Sequence, residues 1–359
     1  MFTTMLALIL YQGQIVSTAR IFEEAARALA GGDYAAAQAG FEQVLRREPN
    51  HLGALGNLGV VHNRLEQPAQ AVAIYRRALG LAPGEAGLRL NLGLAYMKLE
   101  NYAAARDQFA GLGSAQAREL HAICQLQTGA LEAATAALEE LGAQPAASPA
   151  VLHFLALAYV KRGEQGRARA IFDELLARLP VAEAQYLEGR VWYEAALFER
   201  ALESYRKAAN ANRALPGLAL ETGKTLVSLR DYEQAEAQLR EALREDGRSL
   251  EGQYFLGALL VQQGRPREAL ALLESVRSRR PELWGTSYYL GKGKLALGEA
   301  GAALPLLEQA ARRAPGEAAV QYQLARALNA LGRKGEAAAA FARVARLRAA
   351  ANAESIVMK

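Results

Sequence analysis

Small and bulky apolar residues recur along this chain at helical spacing, and the helical stretches themselves recur. In residues 32–49, 66–83 and 265–281, a small residue (Ala37, Ala71, Ala269) precedes a bulky one (Phe41, Tyr75, Leu273) by four positions. Three positions on stands a second small or apolar residue (Val44, Ala78, Val276), and five further on a proline (Pro49, Pro83, Pro281). Spacings of three and four put these residues on one face of a helix, and the proline ends it. The motif returns after about 34 residues, the period of a two-helix repeat. β-branched runs are scarce, so strands are not expected.

Carrying the register along the chain gives about ten units between residues 20 and 351. Residues 52–85 are the clearest. Their first helix holds Leu55, Leu58, Gly59 and His62, and their second holds Ala71, Tyr75, Ala78 and Pro83. The next unit repeats the pattern with Leu92, Gly93, Tyr96, Ala105 and Phe109. These residues resemble the tetratricopeptide repeat, and the resemblance extends over about nine-tenths of the chain. It implies an all-α fold, a right-handed α-solenoid (superhelix) of stacked antiparallel helix pairs. The physics agrees: one pair cannot bury its apolar face alone, so neighbours must stack.

Three segments depart from the register. Residues 1–19 hold a short apolar stretch, with Ser17 and Ala19 placed like a signal-peptidase site but no basic n-region. They read either as an export signal, which would make the protein periplasmic, or as an extra helix on the first repeat of a cytoplasmic one. The third unit, from Ala86, is cut short at Gly113 and Ser114, and the fourth, roughly residues 115–148, is degenerate; residues 113–149 are expected to form a kink within one array, with a one-residue register slip allowed for in the fourth and sixth units. Residues 352–359 are expected to be a loose tail.

Composition narrows the function. The 359 residues carry 42 basic and 37 acidic side chains, a net charge of +5. The charges are interspersed, which gives no nucleic-acid footprint. No apolar run approaches the roughly 18 residues of a membrane span. The single cysteine, Cys124, cannot form an internal disulfide and reads as a small buried residue. Ala, Arg and Gly enrichment suggests a bacterial source with a GC-rich genome.

Candidate chemistry is sparse. His51, His62, His121 and His153 are scattered and form no metal-ligand spacing. Residues 217–225 (GLALETGKT) imitate a phosphate-binding loop, but five residues separate the first glycine from Gly-Lys-Thr instead of four. They also fall inside a predicted helix, whose amides are already used. No catalytic residue, metal or cofactor is expected, and the chain reads as non-enzymatic.

In tetratricopeptide arrays the second, fifth, ninth, twelfth and thirteenth positions of each unit face the concave groove. Here the fifth slot is Tyr186, Tyr254, Tyr288 and Tyr322, and the ninth is Arg190, Lys224, Lys292 and Arg326. One helical turn separates the slots, so tyrosine and cation lie on one face. Such a ladder suits an extended partner with acidic, phosphorylated or free carboxylate groups. Alternatively, the tyrosines pack against the next repeat and Glu183, Glu194, Glu221 and Glu251 neutralise the cations. In the N-terminal half, Asn57 and Asn91 occupy the sixth slot, where the resemblance implies a hold on a peptide backbone. That pattern stops after two rungs, at Leu120, Phe154, Leu187 and Glu221.

The function expected is a protein–protein interaction scaffold whose partner peptide or protein lies in the groove, where the cations of the ladder suit an acidic one. A second expectation is a regulatory or adaptor subunit of an enzyme or of a secretion or assembly complex on a separate chain. Single-stranded RNA binding is a third, disfavoured by the modest charge and the groove glutamates.

Overall fold

The computed structural model describes residues 17–357, and side chains to residue 351. The export-signal reading covers residues 1–19, of which 1–16 lie outside the described residues; Ser17 caps the first described helix and Ala19 lies within it. Among those described there are twenty helices and no strand. The chain divides into two compact units, Met1–Ala168 and Arg169–Lys359, and the division falls inside one helix, Gln165–Arg178.

The first unit contains α1 (Thr18–Ala30), α2 (Tyr34–Arg47), α3 (Leu52–Arg64), α4 (Pro68–Leu81), α5 (Ala86–Lys98), α6 (Tyr102–Phe109), α7 (Ala115–Gln127), α8 (Leu131–Gly142) and α9 (Pro149–Lys161). Helix α10 is Gln165–Arg178. The second unit continues with α11 (Val181–Glu194), α12 (Phe198–Ala211), α13 (Leu218–Ser228), α14 (Tyr232–Glu245), α15 (Leu250–Gln262), α16 (Pro266–Arg279), α17 (Trp284–Ala296), α18 (Ala300–Arg313), α19 (Ala318–Ala330) and α20 (Lys334–Val357). Within each unit the helices form antiparallel pairs, and each pair packs on the next. The last helix runs on to Val357, through most of the segment expected to be a loose tail.

Six of the pairs close on a space left by a missing side chain, and the other four carry alanine at the same place (Ala25, Ala122, Ala156 and Ala325). A Cβ on Gly59 would lie 2.5 Å from Tyr75 Cζ, and one on Gly93 2.6 Å from Phe109 Cζ. The same holds for Gly189 against Tyr205 (2.5 Å), Gly223 against Leu239 (2.8 Å), Gly257 against Leu273 (2.7 Å) and Gly291 against Leu307 (2.6 Å). The bulky partner always stands sixteen residues later. No real Cβ tolerates such distances, so glycine is what lets the second helix seat its knob on the first. Tyr75, Tyr205 and Phe109 are accordingly buried.

The turns inside the pairs supply an independent register. One residue in each takes a left-handed backbone: Gly32, Glu66, Glu100, Gly129, Gly163, Ala196, Arg230, Gly264, Gly298 and Gly332. Successive members are 34 apart except for gaps of 29, between Glu100 and Gly129, and 33, between Gly163 and Ala196. The larger deletion falls in α6, which has 8 residues where the other second helices have at least 12. The smaller one is a single-residue slip entering the sixth unit.

Candidate functional site

The first helices of successive pairs carry the candidate residues, and their surroundings sort them into distinct groups. In the second unit, Tyr186 and Tyr254 are committed to packing. A Cβ on Gly217 would lie 3.3 Å from the Tyr186 hydroxyl, and the Tyr254 hydroxyl fills the place a side chain at Gly285 would take. Each tyrosine therefore sits on a glycine thirty-one residues ahead, at the start of the next pair. Tyr186 also packs at 5.9 Å on Tyr205, and Tyr254 at 5.4 Å on Phe255 and 5.9 Å on Tyr289. Burial pushes both hydroxyls above the ordinary phenol pKa.

Two of the four cations are spent internally. The Lys224 side chain is only 11% exposed; its ammonium lies 3.0 Å from Glu221 and 2.7 Å from Glu251. It also stands 5.2 Å from the centre of the Tyr193 ring and 5.6 Å from that of Phe255. Burial alone would lower its pKa, but the two carboxylates outweigh it and hold the ammonium above the usual lysine value. Arg190 pairs with Glu194 at 3.3 Å, one turn along the same helix. The neutralisation weighed for Glu194, Glu221 and Glu251 thus operates at these two positions.

Lys292 and Arg326 differ. Both stand in the ninth slot, on α17 and α19, the first helices of successive pairs. Lys292 is half-buried, and its pKa is pushed down, first by burial and then by the positive charge of Arg326. No carboxylate pairs with either cation among the described residues; Arg326 donates instead to the neutral Gln323 Oε1 at 3.2 Å. One turn before them on the same helices stand Tyr288, 6.4 Å from Trp284, and Tyr322, 6.0 Å from Phe341. Tyr322 and Phe341 are each 39% exposed, unusually open for large apolar side chains.

In the first unit, Asn57 and Asn91 line a shallow depression between α3 and α5 whose floor includes Gly53, Gly56 and Gly87. Asn91 also lines an adjoining deeper cavity, which no sequence motif announced. Elsewhere the polar candidates are structural. His51 Nδ1 accepts from the Ala54 amide at 3.1 Å and caps α3, while His62 meets Gln67 at 2.8 Å across the turn to α4. Burial raises the Cys124 thiol to about 11, against a small opposing effect of Arg106. Gly217 is the left-handed residue before α13, and Gly223 and Lys224 lie within that helix, so the Gly-Lys-Thr amides are not free to cradle phosphate. Among the described residues no three His, Cys, Asp or Glu could together hold a metal ion, and no helix is long and apolar enough to cross a membrane.

Sequence models described as tetratricopeptide repeat match residues 22–86, 155–219 and 288–354, and a second set matches 64–124 and 226–288. The chain belongs to the tetratricopeptide-repeat family. Solved structures with similar helices include MamA residues 41 to the end from Desulfovibrio magneticus RS-1, 21% identical, covering 47% of this chain and 96% of that one, with a TM-score of 0.42. Yeast Tom70 is 15% identical, covering 92% of this chain and 85% of its own, with a TM-score of 0.49. A comparison with curated proteins gives no match. As a tetratricopeptide-repeat protein the chain has the architecture of a protein-interaction scaffold.

Proposed function

We propose that this chain is a non-enzymatic scaffold that binds a partner protein on its first-helix faces. In the second unit, an acidic segment of the partner lies over Tyr288, Lys292, Tyr322 and Arg326. The observation that carries this reading is the uncompensated pair Lys292 and Arg326, whose like charges raise each other's free energy. A carboxylate between them would relieve that repulsion and gain charge-assisted hydrogen bonds, while the open Tyr322 and Phe341 rings cover the partner's apolar stems. Asn57 and Asn91 would hold main-chain amides at a second place of contact. Tyr186, Arg190, Lys224 and Tyr254 occupy the same slots but are already engaged within the protein, so the segment gains little from them.

A fluorescein-labelled peptide of alternating Glu and Ala tests it by anisotropy, with alternating Lys and Ala as the control. The Glu peptide should bind, weakening as salt shortens the Debye length, and the Lys peptide should not. Lys292→Glu with Arg326→Glu should lower affinity at least tenfold, on the order of 1.4 kcal/mol. Arg190→Gln should leave it within about twofold. Unchanged affinity in the double reversal, with the helical signal intact, would refute the assignment.

A further inference from the structure

The knob of the last pair is bare. Phe341 follows Ala325 by sixteen residues, a place filled in the nine earlier pairs by a side chain at most 2% exposed, yet Phe341 is 39% exposed. The first helix of the next pair covers the earlier knobs: Tyr75 shares a core with Leu88 and Leu92, and Leu273 with Leu290. Tyr322 lacks the same cover. Its counterpart Tyr254 meets Gly285 at the start of the next first helix, whereas Tyr322 is 39% exposed and packs at 6.0 Å on Phe341. Where an eleventh first helix would follow, the chain instead prolongs α20 to 24 residues.

On this face α20 presents small side chains. Ala338 and Ala345 lie about one turn to either side of Phe341, and both are exposed. Ala338 stands where the two preceding pairs carry Leu270 and Leu304, which pack into the core. The shelf between the two alanines therefore has room for a bulky side chain from outside. Its charges are of one sign. Arg348 lies two turns beyond Phe341 on the same face and is exposed, and Arg343 and Arg346 stand alongside. Arg326 faces them from α19, bonded only to the neutral Gln323 among the described residues. Glu336, the acidic residue of the first turn of α20, is taken by Arg333 at 2.6 Å.

A second copy packed on this face about a two-fold axis would set these arginines against each other. A copy packed head to tail would bring α1, whose exposed residues include Arg20, Glu23, Glu24 and Arg27, the polar outer face that a solenoid end needs. Neither supplies an apolar cover with negative charge.

We propose that this end takes an acidic amphipathic helix of a partner protein, standing where an eleventh first helix would. Its bulky apolar residues sit between Ala338 and Ala345 and cover Phe341 and Tyr322, while its carboxylates meet Arg326 and Arg348. The proposal rests on the acidic partner inferred above and adds its helical form and its place.

Two fluorescein-labelled peptides of about 14 residues, marginally helical when free, are titrated into the full chain. One repeats Leu at i, i+3, i+4 and i+7 with Glu elsewhere; the other holds the same residues with Leu scattered round the helix. The first should bind roughly tenfold more tightly, gain helical circular dichroism on binding and shift the amides of residues 338–348. Ala345→Glu, at an exposed position, should weaken it roughly tenfold and leave the alternating Glu and Ala peptide within about twofold. Equal affinity for the two peptides, binding without helix gain, or indifference to Ala345→Glu would overturn the docked helix. If the alternating peptide still bound, the first-helix reading would stand. The reverse result, with the helix bound and the alternating peptide not, supports the docked helix and refutes that reading alone. A concentration-dependent dimer abolished by Ala345→Glu would give the face to a second copy and overturn the proposal.

Discussion

Lys224 and Lys292 stand in the same slot of their repeats and experience opposite surroundings. Lys224 sits between Glu221 and Glu251, and its raised pKa means that the fold favours its ammonium form. That stability is fully present below the unfolded lysine pKa of about 10.4 and is lost as pH rises through the higher folded value. Lys292 has the reverse sign: its lowered pKa penalises the ammonium at neutral pH, and the penalty disappears as pH approaches the unfolded value. Lys224→Met should therefore cost about 2 kcal/mol at neutral pH, because Glu221 is left buried and unpaired. Lys292→Met should be neutral or stabilising there, and both differences from wild type should shrink above about pH 10.4. Urea unfolding of the two variants at neutral and alkaline pH checks the signs. The sequence showed both lysines plainly. Glu221, three residues before Lys224, was equally visible; what the sequence left open was whether Glu251, from the following pair, reaches Lys224 as well.

Each turn within a pair is set by one left-handed residue, and the chain fills six of the ten positions with glycine and four with Glu66, Glu100, Ala196 and Arg230. A side chain in that conformation costs roughly 1 kcal/mol relative to glycine. Ala196→Gly and Arg230→Gly should each stabilise the protein, by up to about 1 kcal/mol, measurable as a higher urea midpoint at constant m value. Glu66→Gly should gain less, since Glu66 also pairs with Lys98 at 2.8 Å. The pairing of the helices was legible from spacing alone; the missing turn was expected at Gly113 and Ser114, and the structure takes the shortening in α6, just before them. Deletions of whole turn fractions leave the flanking motifs readable. Tyr186 and Tyr254 were harder to place. Their partner glycines lie thirty-one residues on, a spacing that becomes meaningful once stacked pairs are seen to touch there.

Across the molecule, stability is built from neighbour contacts, so a local lesion should spread only a short way. Gly291→Ala puts a Cβ 2.6 Å from Leu307 Cγ, an overpacking worth about 1–3 kcal/mol. Hydrogen exchange should quicken across α17–α19 and their immediate neighbours while residues 34–81 keep wild-type protection. Uniform acceleration along the chain would show instead a single cooperative block. The division into two compact units, inside α10, was not visible in the sequence, whose tetratricopeptide motifs continue through it.

The sequence by itself determined the repeat, its register, the helix pairs and the small-to-bulky contacts that close them. Those depend on residues a fixed, short distance apart, and periodicity reports such distances directly. Only the tertiary structure decided which ladder residues are spent and which cations remain unmatched. Charge pairing and burial arise where neighbouring helices meet, and no single stretch of chain contains both sides of that encounter.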